Sequence, residues 1–291
     1  MPITKVEVLG LRNDPLFHTA RHAAKFLETE RKRDFDVTCT DLNELDWQMA
    51  KTEHKQLQPH ASTFEEDVLV KVDGKVLDSV ESLLHTAHNA GYESPDDVDF
   101  EKEALDFETA YRANSGHDFV YFDLTHGDQE LGRIVFELFS NKLPKTCENF
   151  KAICVGDHKS KNKTYEGKPL TYKDTLLHRI QKYGWVQGGD IFTGAGDHGE
   201  SIYGETFADE SFSVNHSKRG ILAMANNGLH TNSSQFFIAF RALEWMNTRY
   251  VAFGQVYRGS AVLAAVEACE TFNQRPLKPL KITACGLFDE P

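Results

Sequence analysis

The chain of 291 residues has no run of about 18 apolar residues, the length that a membrane-crossing helix requires, so no membrane span is expected. The stretch "MPITKVEVLGLRNDP" lacks the long apolar core of a secretory leader. Cysteine is scarce. The five thiols, at 39, 147, 154, 269 and 285, are odd in number and never form C-x-x-C. That argues against a disulfide framework and a paired-cysteine zinc site, and for a reducing, cytoplasmic compartment. N-x-S/T triplets at Asn162, Asn215 and Asn232 are therefore read as chance matches. Basic surplus is missing too. Residues 1–116 carry 24 acidic and 13 basic side chains, net −11; residues 117–291 carry 20 and 19, net −1, which together make −12. No nucleic-acid partner is expected of such a surface, and the acidic half reads as a solvated face. His18/His22 and His85/His88 have metal-ligand spacing, but a pair of histidines alone makes no site; no metal and no cofactor are expected.

What is present falls into two textures. "KVEVLGL" (5–11) reads as a strand, followed by a helix with Asp14 as N-cap, Pro15 at its first position, and Leu16, Ala20, Ala23, Ala24 and Leu27 on one face. A second strand (35–42), a second helix (43–57), a hairpin turning at Asp73-Gly74, and a helix from Ser79 to Gly91 complete a β-α-β-α-β-β-α order. This order resembles the thioredoxin/glutaredoxin fold over residues 1–92. The turn where redox members hold their nucleophilic cysteine is "RNDPLF" here, and no proline precedes the third strand, where those members hold a cis-proline. A binding or spacer role without thiol chemistry follows. Residues 93–116 are acidic and polar, with a short amphipathic helical stretch around 98–112, and read as a linker.

From 117 to 291 short strands alternate with turn signals and two helices, 144–156 and 260–269. That pattern predicts a closed antiparallel barrel. "GAGDHG" (194–199) matches G-x-G-x-x-G. A dinucleotide fingerprint needs a helix after it and an acid about 20 residues on, and the chain offers neither, so the match is a loop coincidence.

"FELFSNKLPKTCENFKAI", "LLHRI", "VQGGDI", "GESIYG", "GILAMAN", "SQFFIAF", "EWMN" and "VAFGQV" occur in the order of the cyclophilins, and the second half is similar to that family block by block. Residues 156–174 look like the longer loop of its divergent members. The resemblance implies a peptidyl-prolyl cis-trans isomerase acting on X–Pro bonds of a peptide or protein client. Rotation about such a bond meets a barrier of about 18–20 kcal/mol from amide resonance, and no nucleophile is needed to cross it. The enzyme must favour the twisted amide, whose nitrogen has regained a lone pair. By motif, Arg179 would donate to that nitrogen, Gln187 would orient Arg179, and Phe237 would floor the proline pocket. Asn226 would bind the client backbone; Gln235, Ala225, Trp245 and Met246 would line the groove. His178 reads as a packed barrel histidine.

Three residues depart from the family. Gly184 and Trp185 stand where an aromatic and a methionine are usual, and Tyr250 stands where many members have histidine. Losing an aromatic wall weakens proline binding by roughly 1.5–3 kcal/mol, unless Trp185 refills the space. Two readings follow: an attenuated isomerase, or a non-catalytic proline-peptide-binding scaffold component. For the divergent members that combine this barrel with an acidic N-terminal domain, the resemblance also implies doubtful catalysis and an association with motile cilia, so the scaffold would belong to a ciliary (axonemal) or cytoskeletal assembly.

Overall fold

A computed structural model describes residues 3–57, 67–77 and 79–289, which separate into two compact units, 1–114 and 115–290. In the first, β1 (Thr4–Leu11) pairs in parallel with β2 (Phe35–Leu42) and antiparallel with β3 (Val68–Val72), and β3 pairs antiparallel with β4 (Lys75–Val76). The order is β2-β1-β3-β4. Helix α1 (Pro15–Glu30) starts as the sequence predicts: Asp14 Oδ1 accepts from Leu16 N–H at 2.7 Å, and Pro15 follows it. Its apolar face packs with Val6, Val8, Val68, Val70, Leu83 of α3 (Val80–Asn89) and Tyr92 in one core. Asp73 and Gly74 both adopt positive φ, 47° and 79°, as a two-residue hairpin turn demands. Helix α2 is Glu44–Leu57.

The segment read as a linker is more ordered than its composition suggests. Residues Phe100–Asn114 form α4, which packs on α1. Glu103 meets His22 at 2.9 Å, Phe107 meets His18 edge-on at 5.1 Å, and the Arg12 guanidinium stacks 3.4 Å over Tyr111. The first unit therefore extends to 114 rather than ending at 92. The amphipathic stretch read at 98–112 is this helix, and its Glu103 meets His18, Arg21 and His22 of α1.

In the second unit one antiparallel sheet of eight strands runs β14-β5-β6-β11-β9-β10-β8-β7. The strands are β5 (Asp118–His126), β6 (Gln129–Leu138), β7 (Arg179–Gln181), β8 (Trp185–Gly188), β9 (Ile221–Met224), β10 (Phe236–Ala239), β11 (Ala252–Arg258) and β14 (Leu280–Leu287). The residues just before β7 bridge to β14 through Leu176 and Lys281. Helices α5 (Pro144–Val155) and α6 (Ser260–Ala268) and a small hairpin, β12 (Thr271–Phe272) with β13 (Arg275–Pro276), flank the sheet. One face of the sheet, with α5, encloses a cluster of Phe122, Phe136, Phe150, Tyr172, Phe236 and Phe253. Strands β9 and β10 are buried at every residue, which is why they read as unbroken apolar runs instead of alternating ones. Their second face is covered as well, and that face carries the candidate site.

Candidate functional site

Antiparallel register places the site. Arg179 on β7 pairs with Gln187 on β8, Gln187 with Phe237 on β10, Phe237 with Ala223 on β9, and Ala223 with Ala252 on β11. Residues opposite one another share a face, so one row crosses five strands and sets a cation, an amide, an aromatic ring and two small side chains side by side. Ala223, Phe237, Ala239, Met246 and Ala252 form a buried cluster with Ile221 and Leu243, against which Trp185, Ala225 and Tyr250 pack partly buried. The alanines are small enough to leave Phe237 as a floor.

Around that floor stand the other residues named from sequence. Tyr250 meets Phe237 edge-on at 5.5 Å. Met246 is buried beside it, whereas Trp245, in a short 3-10 helix Glu244–Met246, is half exposed. Gln187 Nε2 donates to Gln235 Oε1 at 2.9 Å, and Gln235 Nε2 donates to the carbonyls of Gly196 and His198 at 3.1 and 3.0 Å. Asn226 Nδ2 donates to Arg249 O at 2.9 Å, holding its amide at the rim. His178 is buried; burial lowers its pKa, with Asp190 opposing and Arg275 and Arg179 adding to the depression, so the imidazole is neutral at pH 7.

Trp185 packs partly buried against the Phe237 cluster. Its ring lies 6.1 Å from Phe237 and 6.2 Å from Trp245, and the Arg179 guanidinium sits 5.4 Å from its centroid. The turn ahead of it is unusual: Tyr183, three-quarters exposed, has φ +59°, a left-handed conformation that costs a β-carbon-bearing residue about 1–2 kcal/mol. A Cβ at Gly184 would lie 3.0 Å from Gln181 Cγ and 3.3 Å from its carbonyl oxygen.

Sequence reasoning missed three groups. Gln187 points to Gln235, and it is Gln274 that holds Arg179: Arg179 Nε donates to Gln274 Oε1 at 2.6 Å, while Ile180 N–H donates to Gln274 O at 2.7 Å. Gln274 and Asn273 turn the β12–β13 hairpin with φ of +66° and +46°. Nothing local to "TFNQRP" announces a partner 95 residues away. His216 stacks on Phe237 at 5.8 Å and 12°; burial lowers its pKa, with the Asn247 hydrogen bond opposing. Its signal was absent, because "VNHSKR" carries no motif. Asp190 is visible as the last residue of "VQGGD", but the motif alone does not show what its carboxylate holds.

Asp190 explains the glycine run. Its carboxylate accepts from Phe192 N–H, Thr193 N–H and hydroxyl, and Gly196 N–H at 2.6–3.1 Å. Burial pushes its pKa up, but these donors more than offset that and hold it well below the usual carboxylate range. The loop closes on an internal anion in place of a phosphate. Gly189 and Gly196 sit at φ +89° and +94° with neighbours so close that a Cβ would lie 2.3 Å from Ser234 O and 2.6 Å from the His178 ring. Tyr165 of the 156–174 insertion stacks on Phe192 of this loop at 4.0 Å and 6°. Asp190, Asp197 and His198 could together offer three ligand atoms to a cation, but Asp197 and His198 are exposed and each already serves in a hydrogen bond.

The family model described as "Cyclophilin type peptidyl-prolyl cis-trans isomerase/CLD" matches residues 121–287. The whole chain is similar to proteins named "Probable inactive peptidyl-prolyl cis-trans isomerase-like 6". The human protein is 39% identical over 290 residues, covering 97% of this chain and 91% of that one. The bovine protein is 37% identical with 97% and 92% covered, and the mouse protein 36% with 99% and 92%.

Proposed function

Because the chain belongs to the cyclophilin-type peptidyl-prolyl isomerase family, we propose that the Phe237 groove binds X–Pro segments of a protein client and accelerates their isomerisation weakly. The row Arg179–Gln187–Phe237 carries this reading. A proline ring resting on Phe237 places its nitrogen toward the cross-strand neighbours, where a guanidinium can stabilise the lone pair that appears as the amide twists. Attenuation follows from what holds Arg179. Gln274 Oε1 accepts the Nε–H hydrogen bond, and the guanidinium lies over the Trp185 ring. Both contacts fix the guanidinium in the ground state, so any shift it needs to reach the prolyl nitrogen works against them. A protease-coupled or NMR exchange assay on a succinyl-Ala-X-Pro peptide tests this. Expected is turnover above the thermal rate and well below that of an ordinary cyclophilin; a folded chain with no acceleration favours the second reading.

That second reading is a proline-peptide-binding scaffold without turnover, in a ciliary or cytoskeletal assembly. Its lack of turnover is supported by the same capture of Arg179 and by the name of the relatives. The 1–114 unit would then serve docking. Its strand order, with β1 and β2 parallel and β3 and β4 antiparallel, supports a thioredoxin-like reading without redox chemistry. The Leu176–Lys281 bridge likewise supports a closed barrel in the second unit. No helix among the described residues is long and apolar enough to cross a membrane.

A further inference from the structure

Next to Arg179 lies a pocket of about 230 Å³ that Phe237 does not line. Its wall includes His178, Arg179, Gln187, Gly196, Gln274 and Arg275, with two guanidinium groups and no carboxylate. Both cations are held in place by neighbours in the same wall. Gln274 fixes Arg179, and Arg275 Nη2 donates to Ala195 O at 2.8 Å, tying it to the glycine loop. Among the described residues neither arginine forms an ion pair. Asp190, the carboxylate that acts on His178, is already occupied by its own loop. Burial, together with the field of Arg275 and Arg179, keeps His178 neutral, so it adds a polar wall without a third charge.

Resting on the reading of the Phe237 groove as the X–Pro site, we propose that this pocket is a subsite for an anionic side chain of the client, an aspartate or glutamate flanking the proline. Arg179 and Gln187, which line this pocket, stand in the same cross-strand row as Phe237. Strands lie about 4.8 Å apart, which puts the Arg179 position about 10 Å from Phe237 along the row, or about three residues of extended chain at 3.3 Å each. The acid therefore belongs two or three positions from the proline. A planar carboxylate suits two guanidiniums, each with donors to spare after its fixing contact. A phosphoryl group shares that chemistry, and the test separates the two.

The full-length chain is titrated, by fluorescence anisotropy, with proline peptides that differ only two and three positions from the proline. These carry glutamate, glutamine or phosphoserine on either side. Glutamate on one side should bind about three- to tenfold more tightly than glutamine, an advantage that shrinks at high salt. Arg275→Gln should bring glutamate and glutamine peptides to near parity, Arg275→Glu should reverse the preference, and Arg275→Lys should keep most of it. Phosphoserine bound no better than glutamate assigns the pocket to carboxylates; phosphoserine bound tenfold better than glutamate overturns that assignment. Equal binding of glutamate and glutamine peptides, or a preference that survives Arg275→Gln, overturns the proposal. If no peptide binds, the groove reading fails, and the pocket is judged alone by NMR with N-acetylglutamate. Shifts at His178 and Arg275 that vanish in Arg275→Glu sustain it, and unmoved signals refute it.

Discussion

Tyr183, Gly184 and Trp185 shape the wall of the groove beside Arg179 and Phe237. A phenylalanine at 184 alone would crowd Gln181, because the turn puts the left-handed residue one place earlier. The pocket wall is therefore rebuilt by the triple change Tyr183→Gly, Gly184→Phe, Trp185→Met, which relieves the strained φ and frees Arg179 from the indole. Its turnover should rise by at least tenfold over the parent chain in the isomerisation assay. Arg179→Ala in that background should then remove about a hundredfold, the usual worth of a transition-state donor. A triple variant that binds proline peptides yet gains nothing would place the defect elsewhere, at Tyr250 for example. His216 sets a pH limit at the same scale. Its folded pKa lies below the unfolded value of 6.5, so its contribution is complete above pH 6.5 and is lost as pH falls through the folded value. His178 shifts in the same direction. Affinity for an uncharged proline peptide and the thermal midpoint should therefore decline together from pH 6.5 to 5. A flat profile would mean that neither imidazole resists protonation.

Loops and helices show a second layer of support. The 190–199 loop is organised by one carboxylate from within and one stacked ring from the insertion. Asp190→Asn replaces a charged acceptor of several N–H bonds and should cost about 1–3 kcal/mol in denaturant unfolding. Tyr165→Ala should cost about 0.5–1.5 kcal/mol from the lost ring pair and raise hydrogen exchange across 191–199. Helix α4 makes the corresponding prediction for the first unit. His18 is fully buried, and Phe107 and Glu103 are the α4 side chains that meet it. A fragment ending at 92 exposes that face. It should melt lower than a fragment ending at 114, or fail to fold, as circular dichroism would show. Equal melting of the two would make α4 dispensable.

Over the whole molecule the thiols are quiet. Burial raises the pKa of all five cysteines, and Cys147 is pushed up to about 12 from 9.0, which leaves about a thousandfold less thiolate at a given pH. Alkylation of the native chain at pH 8 should thus be much slower than that of the unfolded chain, and the chain should not reduce insulin disulfides. Rapid labelling of Cys39 would contradict both. The sequence by itself determined most of the strands, though not the β12–β13 hairpin, together with the hairpin at Asp73-Gly74, the Asp14 cap, the family blocks and the row-forming residues Arg179, Gln187 and Phe237, because period, turn chemistry and motif are local properties. It also showed the anomaly at 184 and 185, though not its remedy, since the left-handed φ at Tyr183 is invisible in composition. Only the tertiary structure decided that Gln274 captures Arg179 across 95 residues, that His216 backs Phe237 and that α4 belongs with α1. Each of these depends on which distant segments the eight-stranded sheet and packed helices bring within hydrogen-bond or ring contact, and no local pattern encodes that distance.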